Sequence, residues 1–254
     1  MTPDLRKWLF ETLYHNRYFY RFASTVPFAG QWRAWQSLAL SRITGHDVLE
    51  LGCGLGDLLA DMAEAGHACH AVEESPEMVA AARETLQRRK LDKQAWVIQG
   101  TAQRLPFSDQ SFDSVVSTFP SEYIYDSDVI AEVERVLRPG GRLIVVEGAS
   151  LLPVGFLQPL LLLFQALVYG PSALFDARKR DRTTDPDGFE QQADAPLHTG
   201  RETGTGMTST EIPNADFGQH IPLEANHLRR RSELVRSPRW EAYITIGEKE
   251  PGGK

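Results

Sequence analysis

The chain has 254 residues, 42% of them hydrophobic and 24% charged, with 27 Lys and Arg against 34 Asp and Glu for a net charge of −7. That is enough apolar material for one large domain, or one with a small annex, and it excludes wholesale disorder. Two cysteines, Cys53 and Cys69, exclude a disulfide-stapled scaffold and a cysteine-based zinc cluster, and the acidic balance argues against a nucleic-acid binder.

Residues 1–42 carry six basic and two acidic side chains, so the acidic excess lies entirely downstream. The same stretch holds ten aromatics between Trp8 and Trp35. We read it as an N-terminal helical cap whose aromatics close over a pocket, with a membrane-binding face as the competing reading. Its apolar residues are broken up by Asp4, Glu11 and Arg17. No signal peptide is expected, and a cytoplasmic protein follows, peripheral membrane contact being the alternative.

Residues 47–147 alternate strand-like runs (DVLEL, ACHAV, QAWVIQ, FDSVVS, RLIVVE) with helical ones (LLADMAEA, PEMVAAARETLQRRK). That alternation predicts a parallel sheet with helices on both faces. Residues 148–175 contain no charged side chain. They are apolar enough to suggest a membrane span, but Pro153, Gln158, Pro159 and Gln165 interrupt them. A span here would also separate the sheet from its last strands. We expect a buried or lid-forming hydrophobic helix, with peripheral membrane contact through 148–175 as the alternative. Residues 171–220, rich in Gly, Pro, Asp and Thr, keep no period and read as a long irregular insertion. LRRRSELVR and WEAYITIG, around Ser237 and Pro238, then read as an antiparallel pair of strands.

The chemistry is concentrated in VLELGCGLGDLLADMAEAGHACHAVEESPEMVAAAR. A strand runs to Leu51, a loop follows with Gly52, Gly54 and Gly56, and a helix starts near Asp57. Glycine suits a sharp turn that a ligand must approach closely. The second strand ends at Glu73, 21 residues after Gly52. An acid at about that spacing can accept hydrogen bonds from ribose hydroxyls. A dinucleotide fingerprint would need glycine at position 57, where Asp57 stands. An acid there repels a pyrophosphate at the helix N-terminus. S-adenosylmethionine carries a sulfonium cation and no phosphate, so acids at Glu50 and Asp57 suit it better.

Glu50, Gly52, Gly54 and Gly56, in the order E-x-G-x-G-x-G, resemble the first motif of class I S-adenosylmethionine-dependent methyltransferases. VEESPEMVAAAR, QGTAQRLPFSDQSFDSVVS and RVLRPGGRLIVVE resemble the motifs that follow it. The resemblance implies an α/β, Rossmann-like, seven-stranded sheet, mostly parallel with its last strand antiparallel. Residues 43–254 would form the methyltransferase domain, with 148–220 a hydrophobic helix plus insertion before the last two strands. It also implies S-adenosyl-L-methionine as cofactor. Gly52, Gly54 and Gly56 would let the loop pass under its methionine part, and Glu73 would bind the ribose. Ser75 or Pro76 would flank the adenine, Thr101 and Ala102 would line its edge, and Ser117 and Thr118 would lie near the reacting end, with Glu50, Cys53 and Glu74 also among the cofactor-binding positions. Thr101 and Glu73 both stand where the family commonly has Asp.

Methyl transfer from a sulfonium is an in-line displacement in which the protein mainly orients the pair and excludes water. No metal-ligand spacing is present. His15, Tyr18, Glu122 and Tyr123 lie in segments that can reach an acceptor, although packing or surface roles outweigh catalysis for each singly. Strand four ends in STFPSEY, unlike the (D/N/S)PP(Y/F/W) of enzymes that methylate base amino groups. YRFASTVPFAGQWRAWQSLAL somewhat resembles ubiquinone/menaquinone and phospholipid methyltransferases. A small, lipophilic, lipid- or quinone-like acceptor is therefore expected. A non-catalytic S-adenosylmethionine-binding module and a peripheral membrane protein are the alternatives.

Overall fold

The computed structural model describes residues 31–151, 201–203, 207–212 and 220–252. Strands β1 (Asp47–Leu51), β2 (Ala68–Glu73), β3 (Ala95–Gln99), β4 (Phe112–Thr118) and β5 (Leu137–Leu151) are joined by β6 (Arg201–Thr203), β7 (Met207–Glu211), β8 (Leu228–Ser237) and β9 (Trp240–Lys249). They form one sheet in the order β3-β2-β1-β4-β5-β9-β8-β7-β6. The pairings from β3 through β5 are parallel, and β9 runs antiparallel to both β5 and β8. Seven of these strands are the expected sheet with its antiparallel last strand.

Among the described residues the sheet has nine strands rather than seven, because β6 and β7 come from the stretch that reads as irregular. The sequence MTSTE has no buried position and only polar residues between its ends. Its threonines suit a pleated strand, but without an apolar face no period-two signal marks it. A second correction concerns the boundary at 148. Residues 148–151 continue β5 against β9, with a register shift between Val146 and Gly148. The rest of the apolar run, 152–175, lies outside the described residues, as do residues 1–30. No described helix is long and apolar enough to cross a membrane.

Helices α1 (Trp32–Gln36), α2 (Asp57–Glu64), α3 (Pro76–Arg89) and α4 (Ser127–Val136) flank the sheet. Helix α3 begins where the Ser75 hydroxyl accepts from the Met78 N–H at 3.3 Å with proline in its first turn, and it ends with Arg88 and Arg89. These are an N-cap, a pre-set φ and cations at the negative helix end. Helix α4 is capped by Asp126, which accepts from the Asp128 N–H at 3.0 Å.

Alternate residues of each central strand feed two cores. Val48, Val116, Ile144 and Val146 pack with α2, α3 and Trp35. Leu49, Val115 and Val145 pack with α4, Ile221 and Leu223 on the other face. A strand buried on both faces reads as an unbroken apolar run, which is why β1, β4 and β5 are visible in sequence. The 3-10 turn Ser37–Arg42 after α1 is tied to β8 by Arg42, whose guanidinium donates to Glu233 at 2.6 and 2.9 Å. Trp35 and Leu38 in this segment are buried against the first core.

Candidate functional site

Along the chain the strands step outward from β1 to β3 and then return to β4 beside β1. The two halves of the sheet diverge there, leaving a crevice beyond the carboxyl ends of the strands. Leu51, Glu73, Gln99 and Thr118 end the four strands concerned.

The loop that leaves β1 is held in a left-handed path, with φ of 70°, 52° and 74° at Gly52, Gly54 and Gly56. At Gly56 a Cβ would stand 2.9 Å from the Cα and Cβ of Ala82 on α3, so glycine is required for both conformation and space. At Gly52 a Cβ would meet the Tyr123 hydroxyl at 3.2 Å. Gly52 itself donates to the Val72 carbonyl at 2.9 Å, which anchors the loop to β2.

Glu73 closes the loop from the neighbouring strand. One carboxylate oxygen accepts from the Gly54 N–H at 2.9 Å and the other from the Ser75 N–H at 3.1 Å. An ionised carboxylate has about four acceptor positions. Two remain for a diol, with the group already oriented. The Gly100 N–H donates to the Glu73 carbonyl at 3.0 Å, which brings the turn carrying Thr101 and Ala102 beside it. Thr101 and Glu74 are exposed, and Ala102 and Ser75 half-buried.

Glu50 is 1% exposed, and its Oε2 has no hydrogen-bond partner among the described residues. Burial, and secondly the charge of Glu73, push its carboxyl up to about 8, against the opposing pull of Arg33. Asp57 and Asp61 on α2 add to the negative field. Arg33, from α1, pairs with Asp61 and reaches the Asp57 carbonyl at 3.5 Å. Arg89 approaches Asp61 at 2.9 Å from α3. Cys53, in the loop, is buried, and burial followed by the Glu50 charge pushes its thiol well up. The corner is acidic, with one buried carboxyl unpartnered. It suits a cation and disfavours a phosphate.

On the β4 side, Ser117 is buried and its hydroxyl lies 2.7 Å from that of Tyr123. The Tyr123 hydroxyl donates to the Leu51 carbonyl at 3.1 Å. Burial raises its pKa strongly, so it stays neutral and braces the end of β1. Thr118 accepts from the Gln36 amide at 3.4 Å. Phe119 has φ of 51°, a strained value for an aromatic residue, and stacks on Trp32 with ring centroids 4.2 Å apart. Glu122 is exposed on the 3-10 turn Glu122–Tyr125. His15 and Tyr18 lie outside the described residues.

Glu50, Gly52, Cys53, Gly54, Gly56, Glu73, Ser75, Ser117 and Tyr123 are thus linked around one crevice. Sequence reasoning does not foresee Arg33 or Gln36 there. The local excess of basic residues in 1–42 is the only hint, and it points to no residue. A separate open groove of about 530 Å³ runs along the β3 edge between Arg83, Trp96 and Phe107, and it shares no residue with this corner.

Residues 49–145 match the family model described as a methyltransferase domain. A demethylmenaquinone methyltransferase of Mycobacterium marinum is 37% identical over 132 residues, covering 50% of this chain and 54% of that protein. A sterol 4-C-methyltransferase of Caenorhabditis elegans is 30% identical over 100 residues, covering 39% of this chain and 30% of that protein. The chain spans about half the length of the demethylmenaquinone methyltransferases it matches. Among solved structures, a protein of Methanococcus maripaludis assigned as an S-adenosyl-L-methionine-dependent methyltransferase superposes with a TM-score of 0.53 at 15% identity, covering 91% of this chain and 90% of that one. A protein of Pyrococcus horikoshii gives 0.50 at 16% identity, covering 91% and 98%. At these identities the structures establish the shared fold.

Proposed function

We propose that this chain, which carries a class I S-adenosylmethionine-dependent methyltransferase domain, transfers the methyl group of that cofactor to a small lipophilic acceptor. The observation that carries the reading is the Glu73 carboxylate, fixed on the Gly54 and Ser75 N–H groups beside a left-handed glycine loop at the sheet's crevice. The unpartnered Glu50 oxygen and the acidic corner fit a cationic cofactor.

The cofactor supplies a methyl group already activated on a sulfonium. The chain's own part is placement and exclusion of water. Glu73 would accept from the ribose hydroxyls, the Gly52–Gly56 loop would pass under the methionine part, and Thr101 and Ala102 would border the adenine. Ser117 and Thr118 would face the reacting end. Tyr123 is held neutral by burial and donates to the Leu51 carbonyl, which suits it to bracing the loop and not to taking a proton.

Support for a lipophilic acceptor comes from the stacked Trp32 and Phe119 beside Thr118 and from the substrates named for the two relatives. The first test is calorimetric titration with S-adenosylmethionine, S-adenosylhomocysteine and NADH. Binding of the two sulfur compounds and not of NADH is expected. No binding of either would sink the assignment. Labelled methyl transfer onto quinol, sterol and phenol acceptors then tests the substrate class. Cofactor binding without transfer to any acceptor would favour the non-catalytic module, and transfer only to water-soluble acceptors would remove the lipophilic reading.

A further inference from the structure

A buried carboxyl with an unpartnered oxygen is destabilising, above all when ionised, and a nearby cation offsets that penalty. Glu50 meets that description in the described structure. The charged groups around it come from each neighbouring element: Glu73 from β2, Asp57 and Asp61 from α2, and Arg33 from α1. Cys53 in the loop, Cys69 on β2 and Tyr123 after β4 also face it, and burial raises the pKa of all three, so they remain uncharged beside it. Among the described residues, Arg33 is the one cation that acts on Glu50, and its guanidinium is committed to Asp61 and the Asp57 carbonyl. The corner therefore holds a carboxyl that lacks a counter-ion of its own.

We propose that Glu50 is the residue by which this corner tells the cationic sulfonium donor from the neutral thioether left after transfer, giving up its proton as the cation arrives and regaining it once transfer has removed the charge from sulfur. The inference rests on the proposed function and deepens it. In the free protein the carboxyl carries its proton at neutral pH. A sulfonium bound in this corner would stabilise the carboxylate, and the proton would pass to solvent. After transfer the positive charge at sulfur is gone, and the carboxylate is again unfavourable in its buried position. The reprotonated site then holds the demethylated cofactor no more tightly than its shape and ribose contacts allow. Discrimination in favour of the donor should grow as pH rises toward that of the free carboxyl.

The experiment is calorimetric titration of the full chain with S-adenosylmethionine and with S-adenosylhomocysteine, from about pH 6.5 to about pH 8.5, in two buffers of different ionisation enthalpy. Linkage limits the change to about tenfold per pH unit for one proton. We expect donor binding to release up to about one proton more than product binding, and the affinity ratio of donor to product to rise about tenfold across the range. Each ligand also carries an amino group, and the sulfonium lowers its pKa in the donor alone, so the carboxyl's share is the difference between the wild type and Glu50→Gln at each pH. Glu50→Gln should reduce the extra proton release and the rise in the ratio to that background, its fold being checked by thermal denaturation. Arg33→Gln removes the opposing cation and should move the rise to higher pH, which decides the matter if the Glu50→Gln protein does not fold. Equal proton release with both ligands, or a rise undiminished in Glu50→Gln, overturns the inference while leaving the functional reading intact. Binding of neither ligand to the unaltered protein overturns both.

Discussion

Strand β1 carries an acid near each end, and the two are treated in opposite ways. At the amino end Asp47 pairs with Arg138 at 2.7 Å, and the neighbouring Asp113 accepts from Arg138 at 2.8 Å and from the His46 and Asp47 N–H groups at 2.8 and 3.0 Å. Burial pushes Asp113 up, but Arg138 and the two backbone donors together hold its carboxyl below the usual range. Three residues along the strand from Asp47, Glu50 is buried deeper and is left with an unpartnered oxygen. The amino-terminal edge uses its acids to join strands. The carboxyl-terminal edge holds one in reserve, and a perturbed, unsatisfied acid in a crevice is what a binding site needs and a scaffold avoids.

The largest way to break this contrast is to remove the acid that anchors the crevice. Glu73→Ala should weaken S-adenosylmethionine binding about 100-fold, since hydrogen bonds to a charged group are worth about 1.5–3 kcal/mol each. Calorimetry is the check, and the chain should remain folded by circular dichroism.

Glu50→Gln sharpens the contrast through pH. The folded carboxyl keeps its proton up to about 8, whereas the unfolded one ionises around its ordinary value of 4.5. The unfolded state thus binds fewer protons in that window, and stability falls as pH rises through it. The glutamine protein should lose that decline, gaining at most about 2–4 kcal/mol over the wild type between about pH 5 and pH 8. Denaturant midpoints at the two pH values would reveal it, and parallel profiles would remove the claim.

Asp113→Ala tests the other edge. Its lost hydrogen bonds should cost about 1–2 kcal/mol in thermal or chemical unfolding, with cofactor affinity unchanged. Because the folded carboxyl is held low, this stabilisation is present above the unfolded pKa and disappears as pH falls through the folded one. The smallest effect belongs to Gln36→Ala. Its amide donates to Thr118 at 3.4 Å and accepts from Arg33 at 3.3 Å, two long contacts that predict less than about 1 kcal/mol, and a larger change in unfolding would assign α1 a heavier role.

The same two edges differ in how readily they can be read from sequence. Gly52, Gly54, Gly56 and Glu73 follow a local rule, a tight turn next to a strand and an acid one strand later, and their spacing announces them. Strands β1, β4 and β5 announce themselves because burial on both faces leaves long apolar runs within them. Arg33 on Asp61 and Gln36 on Thr118 join residues 28 and 82 positions apart. Nothing local distinguishes those polar side chains from solvated ones. In sequence Tyr123 reads as a residue that could reach the acceptor. Its role as a brace under Gly52 depends on where β4 sits relative to β1, which is a property of the strand order. Strand β7 is invisible because a strand with no buried position has no hydrophobic period to detect.

The position of β9 carries a consequence for how the protein is made. It is the latest strand in the described chain, yet it lies between β5 and β8 in the interior of the sheet. During synthesis the five parallel strands can assemble as they emerge, but β5 then presents a long open edge rich in valine and isoleucine. About a hundred further residues must leave the ribosome before Trp240–Lys249 can cover it. The nascent chain is consequently most exposed to strand-mediated association just before its final strand arrives.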